Sequence, residues 1–283
     1  MQVTDHPLRL LAERFPQLYI PLSPGARESL QYKNMVLRGQ ESDRELRGFS
    51  FSETDKLTLW QTPAGPVEVL YLENRADFEH CVCALAYRCE PRPIPASMGA
   101  TTLSGLNDWG RIRAHRAAYE EAGGKEWQKE LRRFTADPAN YRATLILVSR
   151  GCYSAVPSEM MNLPPAEWLD RSLTIRTYHE LTHFVCRKWY PQDVDPIRDE
   201  VIADAIGLVA AFGTYDPRKA AMFLGIETDT YRSGGRLENY QKEGQSLETV
   251  IDAARSWIKR TADVLQNTYF GDPFTPIRFL MAE

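Results

Sequence analysis

The feature that most constrains this chain is a segment of 25 residues, 165–189, in which no glycine or internal proline interrupts a helical pattern. The segment begins at a proline pair, which suits the first helical turn, and it ends before Pro191. Its later half contains His179 and His183. At ~3.6 residues per turn, these histidines lie one turn apart on the same face, so both imidazoles can reach a single metal ion.

Between the two histidines lies Glu180, a candidate proton acceptor. It points beside the metal position rather than at it, where a carboxylate can take a proton from a metal-bound water. Zinc lowers the pKa of such a water to ~7, which makes hydroxide available at neutral pH. Because the chain has only five histidines, chance is a poor explanation for this five-residue pattern. We therefore predict Zn²⁺ as the cofactor.

A catalytic zinc site needs a third protein ligand and an open position. Glu200 follows His183 after 16 residues, near the start of a second predicted helix, 196–212. Consecutive helices with a short connection tend to pack as antiparallel neighbours, which brings Glu200 toward the histidine pair. Asp204 lies one turn further along the same face, where it can accept a hydrogen bond from the ring N–H of a ligand histidine.

Residues 179–183 read His-Glu-Leu-Thr-His, and residues 200–204 read Glu-Val-Ile-Ala-Asp. This pair of motifs resembles the gluzincin metallopeptidases, in which HExxH is followed on a later helix by Glu-x-x-x-Asp. The resemblance covers residues 143–213, about a quarter of the chain. Metzincins fit less well, because their third ligand would fall on Trp189, which cannot bind zinc.

The resemblance implies a role for each residue of the two motifs. The zinc ligands would be His179, His183 and Glu200, the general base would be Glu180, and Asp204 would support a ligand histidine. The implied activity is hydrolysis of a peptide or protein substrate, by attack of a metal-activated water on a peptide or amide carbonyl. The family also has a sheet before the zinc helix, with an edge strand that binds extended substrate. Here residues 145–149 are the candidate strand of that sheet, and residues 151–154 are candidates for lining the cleft.

A gluzincin also needs a donor for the oxyanion, from a tyrosine, histidine or arginine further along the chain. No histidine follows His183, so a downstream histidine is excluded. Four candidates remain in one glycine-containing stretch: Tyr231, Arg232, Arg236 and Tyr240. The sequence does not choose among them, and Tyr231 is the catalytic assignment we make.

Strands are predicted early in the chain and helices late, which indicates an α+β fold. Segments 57–60 and 67–72 read as a hairpin around a Pro- and Gly-containing turn, and 143–149 reads as a strand buried on both faces. The predicted helices are 7–13, 75–87, 105–122, 125–134, 165–189, 196–212, 216–224 and 247–268. We expect an N-terminal α+β lobe, 1–160, and a helical metal-binding lobe, 161–283, or else one continuous domain.

Charge and cysteine content limit the partners and the compartment. The formal net charge is −4, with no basic block, which disfavours general nucleic-acid binding. No apolar run approaches the ~20 residues of a membrane span, and the N-terminus lacks the pattern of a secretory signal. Five cysteines without a disulfide-like framework suggest a reducing compartment. We therefore expect a cytoplasmic protein that does not act on nucleic acids or membranes.

Two other functions compete with an active peptidase. One is a catalytically silent binding or regulatory protein of zincin fold that keeps a structural zinc site. The other is a di-iron helical protein, since residues 180–183 also fit Glu-x-x-His. That site needs a second Glu-x-x-His on another helix, and the sequence has none. The sequence gives neither the cleavage preference nor the oligomeric state.

Overall fold

The chain has an α+β fold, as its sequence predicts. A computed structural model describes residues 6–40, 44–193, 195–228, 230–266 and 271–282. Among the helices in these ranges, none is both long enough and apolar enough to cross a membrane.

The chain folds as two compact units. The first consists of the described residues of Met1–Trp60, Val67–Ile94 and Thr102–Ser149, and the second of those of Gln61–Pro66, Pro95–Thr101 and Arg150–Glu283. The main division thus falls after Ser149, somewhat before the boundary near residue 160 that the sequence suggests. The assignment of two functional lobes stays a prediction.

The strands form one four-stranded sheet, in the order β1-β2-β4-β3, and most of their residues belong to the first unit. The strands are β1 (Lys56–Thr62), β2 (Gly65–Leu72), β3 (Ala100–Asn107) and β4 (Arg142–Ser149). Two residues join the adjacent strands β1 and β2, which confirms the predicted hairpin. β2 pairs with β4 in parallel, with Val69 opposite Ile146.

Strand β4 is the strand that the sequence predicts to be buried on both faces. Each residue from Leu145 to Val148 is fully buried, and Ser149 is 1% exposed. Because β4 lies between β2 and β3, both of its edges are already paired. It therefore belongs to a sheet, as expected, but it has no free edge with which to bind an extended peptide.

The α-helices of the first unit either precede β1 in the sequence or connect later strands of the sheet. They are α1 (Pro7–Arg14), α2 (Leu30–Tyr32), α3 (Arg75–Leu85), α4 (Trp109–Glu121), α5 (Trp127–Thr135) and α6 (Pro138–Tyr141). Asn74 caps α3 and accepts a hydrogen bond of 2.8 Å from the backbone N–H of Ala76.

One predicted helix begins too early. The sequence suggested a helix from residue 105, but residues 100–107 form β3 and α4 begins only at Trp109. Gly105 has a φ of +76°, which no right-handed helix contains, and Asp108 caps α4 instead. Pairing with β4, a contact distant in sequence, decided the conformation of this segment.

The second unit is mainly helical. It contains α7 (Ser158–Met161), α8 (Pro165–Trp189), α9 (Pro196–Phe212), α10 (Pro217–Leu224), α11 (Leu247–Gln266) and α12 (Pro276–Met281). Two short 3₁₀ turns, Tyr153–Ala155 and Arg236–Tyr240, complete it. The predicted bounds of α8 and α9 are confirmed at both ends, whereas the predicted end of the last long helix, at residue 268, lies outside the described residues.

Local sequence explains both ends of α9. The Asp195 carboxylate accepts hydrogen bonds of 3.1 Å from the backbone N–H groups of Ile197 and Arg198. Gly213 ends the helix with a φ of +77°, a left-handed conformation that glycine adopts without a steric penalty. The start of α9 is therefore fixed close to Glu200.

Helices α8 and α9 pack against each other at a glycine. A Cβ atom placed on Gly207 would lie 2.8 Å from the carbonyl oxygen of Ile175 on α8, so only glycine allows this approach. Ile175 is fully buried and belongs to a core that also contains Trp168 and Phe223. The backbones of the two helices are thus held closer than ordinary side chains would permit.

We predict that Gly207→Ala lowers the free energy of unfolding by about 1–3 kcal/mol, because the added methyl group must separate α8 from α9. Alanine is intrinsically the better helix former by ~1 kcal/mol, so a loss of stability would isolate the steric effect. Urea unfolding measures the change. The control Ala210→Ser adds one heavy atom at a half-buried position of the same helix and should cost only about 0.5 kcal/mol. A more stable Gly207→Ala variant would contradict the close packing.

Candidate metal centre

The two histidines of α8 face each other across one helical turn. Their Nε2 atoms are 3.0 Å apart, and their rings are nearly perpendicular, at 84°. His179 is 7% exposed, and the side chain of His183 is 12% exposed. Two imidazole nitrogens are therefore directed at one largely buried point, as the spacing in the sequence predicts.

Glu200 of α9 completes the group. Its Oε1 lies 3.2 Å from Nε2 of His183, and its Oε2 lies 3.6 Å from Nε2 of His179. With zinc–ligand distances of ~2.0–2.1 Å, donors at the corners of a tetrahedron are about 3.3–3.4 Å apart. The two nitrogens are 3.0 Å apart, whereas the two carboxylate separations, 3.2 and 3.6 Å, reach different oxygens of Glu200. One donor atom from each residue can be chosen so that all three lie within 4.8 Å of one another, which allows a single ion to contact all three residues.

The arrangement around His179 favours the tautomer that a metal ligand needs. Its Nδ1 lies 2.9 Å from Oδ1 of Asp204, a carboxylate that is fully buried. An ionised carboxylate can only accept hydrogen bonds, so Nδ1 carries the hydrogen and is the donor. The lone pair of His179 is then on Nε2, which faces His183 and Glu200. Asp204 thus contacts a ring nitrogen of one of the two candidate ligand histidines.

Tyr153 is a site residue that sequence reasoning missed. It lies in the 3₁₀ turn Tyr153–Ala155, shortly after β4, and it is 5% exposed. Its hydroxyl donates to Oδ1 of Asp204 at 2.5 Å and lies 2.9 Å from Nδ1 of His179. Burial and the neighbouring Asp204 raise the pKa of Tyr153 well above its ordinary value, so the hydroxyl keeps its proton. The resemblance placed residues 151–154 beside the cleft but gave Tyr153 no role.

Arg236 links the two carboxylates of α9. It lies in the 3₁₀ turn Arg236–Tyr240, and its Nη1 donates to both carboxylate oxygens of Asp204, at 3.2 and 3.1 Å. Its Nη2 donates to Oε2 of Glu200. The same Nη1 also lies 3.0 Å from Oγ of Ser154. One guanidinium therefore fixes both acids of the Glu-x-x-x-Asp motif.

These contacts keep the buried acids ionised. Burial alone would raise the pKa of Glu200, but Arg236 and then His179 outweigh it and hold that pKa well below its ordinary value. Burial likewise opposes the charge of Asp204, but Arg236 and the hydrogen bond with His179 lower its pKa. An ionised glutamate is the form that can bind a metal.

The predicted general base lies on the same helix as the histidines. Glu180 is 7% exposed, and among the described residues it is not one of the three whose donor atoms lie within 4.8 Å of one another. It therefore lies next to a ligand in the sequence without belonging to the donor set, as the interpretation of the motif requires.

The candidate oxyanion donors differ in their contacts with the donor group. Tyr231 pairs with Ile226 in a short bridge, and its buried hydroxyl has no hydrogen-bond partner in the described part of the chain. Arg236 is engaged by the two carboxylates. Tyr240 lines a cavity of about 350 Å³ together with His183 and Glu200. The structure thus connects Tyr240 and Arg236 with the site, whereas the catalytic role of Tyr231 stays a prediction.

Comparison with known proteins identifies the family but not an activity. The chain belongs to a family of unknown function, DUF7005, whose pattern matches residues 3–271. No curated protein and no solved structure matches the chain.

We predict that the purified protein retains one zinc ion per chain and that His183→Ala abolishes this retention, because two donors hold zinc far more weakly than three. Metal analysis after gel filtration measures the content. The control is His115→Ala, whose imidazole in the first unit contacts Glu130 at 2.6 Å. Equal zinc content in both variants would place the metal elsewhere.

We predict that Tyr153→Phe weakens zinc binding about tenfold, because it removes a donor that holds Asp204 beside His179. The phenylalanine ring can keep the edge contact with Phe223, at 4.9 Å between ring centroids, so the fold should persist. Competition with a chromogenic chelator measures the affinity. Tyr215→Phe is the matched control, since the buried hydroxyl of Tyr215 has no hydrogen-bond partner among the described residues. Identical affinities for the two variants would contradict the role of Tyr153.

Proposed function

We propose that the protein is a zinc-dependent hydrolase of the metallopeptidase type, which acts on a peptide or protein substrate. The observation that carries this proposal is the convergence of His179, His183 and Glu200, whose donor atoms all lie within 4.8 Å of one another. Three protein ligands leave a fourth position open, which is typical of catalytic rather than structural zinc sites.

When bound, zinc would supply a Lewis acid that polarises the substrate carbonyl and makes water reactive near neutral pH. Glu180 would accept a proton from the attacking water as its oxygen bonds to the carbonyl carbon. The same carboxyl group would return the proton to the leaving nitrogen as the carbon–nitrogen bond breaks. The products are a carboxylic acid and an amine.

The remaining site residues would act by holding the ligands. Asp204 fixes the ring of His179, and Tyr153 and Arg236 fix Asp204. Arg236 also orients Glu200. Tyr240 is the candidate for stabilising the oxyanion, because it lines the cavity that contains two of the ligands.

A catalytically silent protein with the same zinc site is the second candidate. It is favoured by the use of Arg236 for binding carboxylates and by the absence, in the described part of the chain, of a hydrogen bond between Tyr231 and the donor group. Such a protein would bind zinc and a peptide without cleaving it.

A cytoplasmic location is part of the proposal. The five cysteines are free, and four of them are buried. Unpaired thiols in a folded core suit a reducing compartment.

We predict that Glu180→Gln retains zinc but lowers peptide hydrolysis at least about a hundredfold, because the amide cannot accept the proton. Hydrolysis of a mixed peptide library, followed by mass spectrometry, measures the activity, and metal analysis measures the zinc. Glu167→Gln, in the first turn of the same helix, is the control and should keep both.

The outcomes separate the two candidates. Zinc binding by the native chain, with no cleavage of any library member, would favour the silent protein. Full activity of Glu180→Gln would exclude Glu180 as the base. A native chain that holds no zinc would contradict both functions.

A further inference from the structure

The cavity beside the donor group contains an arginine without an acidic partner. Arg187 lies one helical turn after His183 on α8, so the two side chains share a face. Both line the cavity of about 350 Å³, together with Glu200 and Tyr240. The side chain of Arg187 is exposed, and no described acid forms an ion pair with it.

The acids at this cavity pair with arginines other than Arg187, and one of these guanidiniums, that of Arg198, is shared between two aspartates. Asp193 and Asp199 line it, but both face Arg198, whose Nη2 lies 2.8 Å and 3.4 Å from their carboxylates. The side chain of Arg198 is only 6% exposed, so this pairing belongs to the fold. Glu200 is paired with Arg236. Arg187 is therefore the cation at the cavity that remains available to a ligand, among the described residues.

The rest of the lining suits the stem of an acidic side chain. Tyr190, Pro191 and Cys186 also line the cavity and contribute carbon-rich surface to it. Burial raises the pKa of Cys186 to about 12, so its thiol adds no negative charge. Methylene groups would pack against this surface, while a carboxylate beyond them would meet the guanidinium.

We propose that this cavity binds a substrate carboxylate through Arg187, so that the enzyme prefers a substrate with an aspartate or glutamate side chain beside the bond presented to the zinc. A guanidinium can bind a carboxylate with two parallel hydrogen bonds, which a lysine ammonium cannot do. The inference rests on the proposed zinc site. It does not require that the bound peptide is cleaved.

The neighbouring residue, Lys188, provides a natural comparison. It is also exposed and carries the same charge, but its Nζ lies over the ring of Phe184, at 6.0 Å, and it does not line the cavity. A general effect of positive charge on this helix would involve both residues equally. A specific effect would involve Arg187 alone.

The test uses three dipeptide hydroxamates that differ only in one side chain, glutamate, glutamine or lysine, because a hydroxamate binds zinc whether or not catalysis occurs. Calorimetric titration of the zinc-loaded protein measures their affinities. We expect the glutamate compound to bind about three- to tenfold more tightly than the glutamine compound, as for a partly exposed ion pair. Arg187→Glu should remove or reverse this preference, and Lys188→Glu should leave it intact.

Each outcome decides the question. Equal affinities, a preference for lysine, or loss of the preference in both variants would overturn the inference and leave the zinc site standing. A native protein that holds no zinc would overturn the proposed function and this inference together. A glutamate preference without hydrolysis of the corresponding peptides would support the inference while favouring the silent protein.

Discussion

The contact between α8 and α9 is the constraint on which the site depends. Gly207 lets the helices approach each other at Ile175. From that point, the contacts between side chains run in opposite sequence directions along α8 and α9. His179 meets Asp204, and His183 meets Glu200. These pairings show that the helices run antiparallel. Because two candidate ligands come from one helix and the third from the other, a small separation of the helices would move the donor atoms apart by the same amount.

The close packing of the helices buries two neighbouring carboxylates, and residues far away in the sequence stabilise their charges. Two buried carboxylates, one helical turn apart on α9, would repel each other and would be costly to remove from water. Arg236 binds both, and Tyr153 donates to one of them. Neither residue lies on α8 or α9, so the segments before and after the helix pair are tied to the site by its charges.

Short-range patterns in the sequence were enough to predict both helices and the approach of His179, His183 and Glu200 to one another. The spacing of His179 and His183, the cap at the start of α9 and Gly213 at its end are all local features. Tyr153 could not be found in this way, and Arg236 was only one of four candidates for another role, because both reach the site through contacts between residues far apart in sequence. The start of α4 was predicted wrongly for the same reason, since pairing with β4 makes residues 100–107 a strand. The choice of Tyr231 among four downstream candidates likewise had no local signal to guide it.

The most direct test of the account is a crystal structure of the zinc-loaded protein with anomalous scattering measured on both sides of the zinc absorption edge. The account predicts one strong peak per chain, within about 2.0–2.2 Å of Nε2 of His179, Nε2 of His183 and a carboxylate oxygen of Glu200. It also predicts that Asp204 still contacts Nδ1 of His179. A peak at another group of residues, or stoichiometric zinc without a peak between α8 and α9, would contradict it.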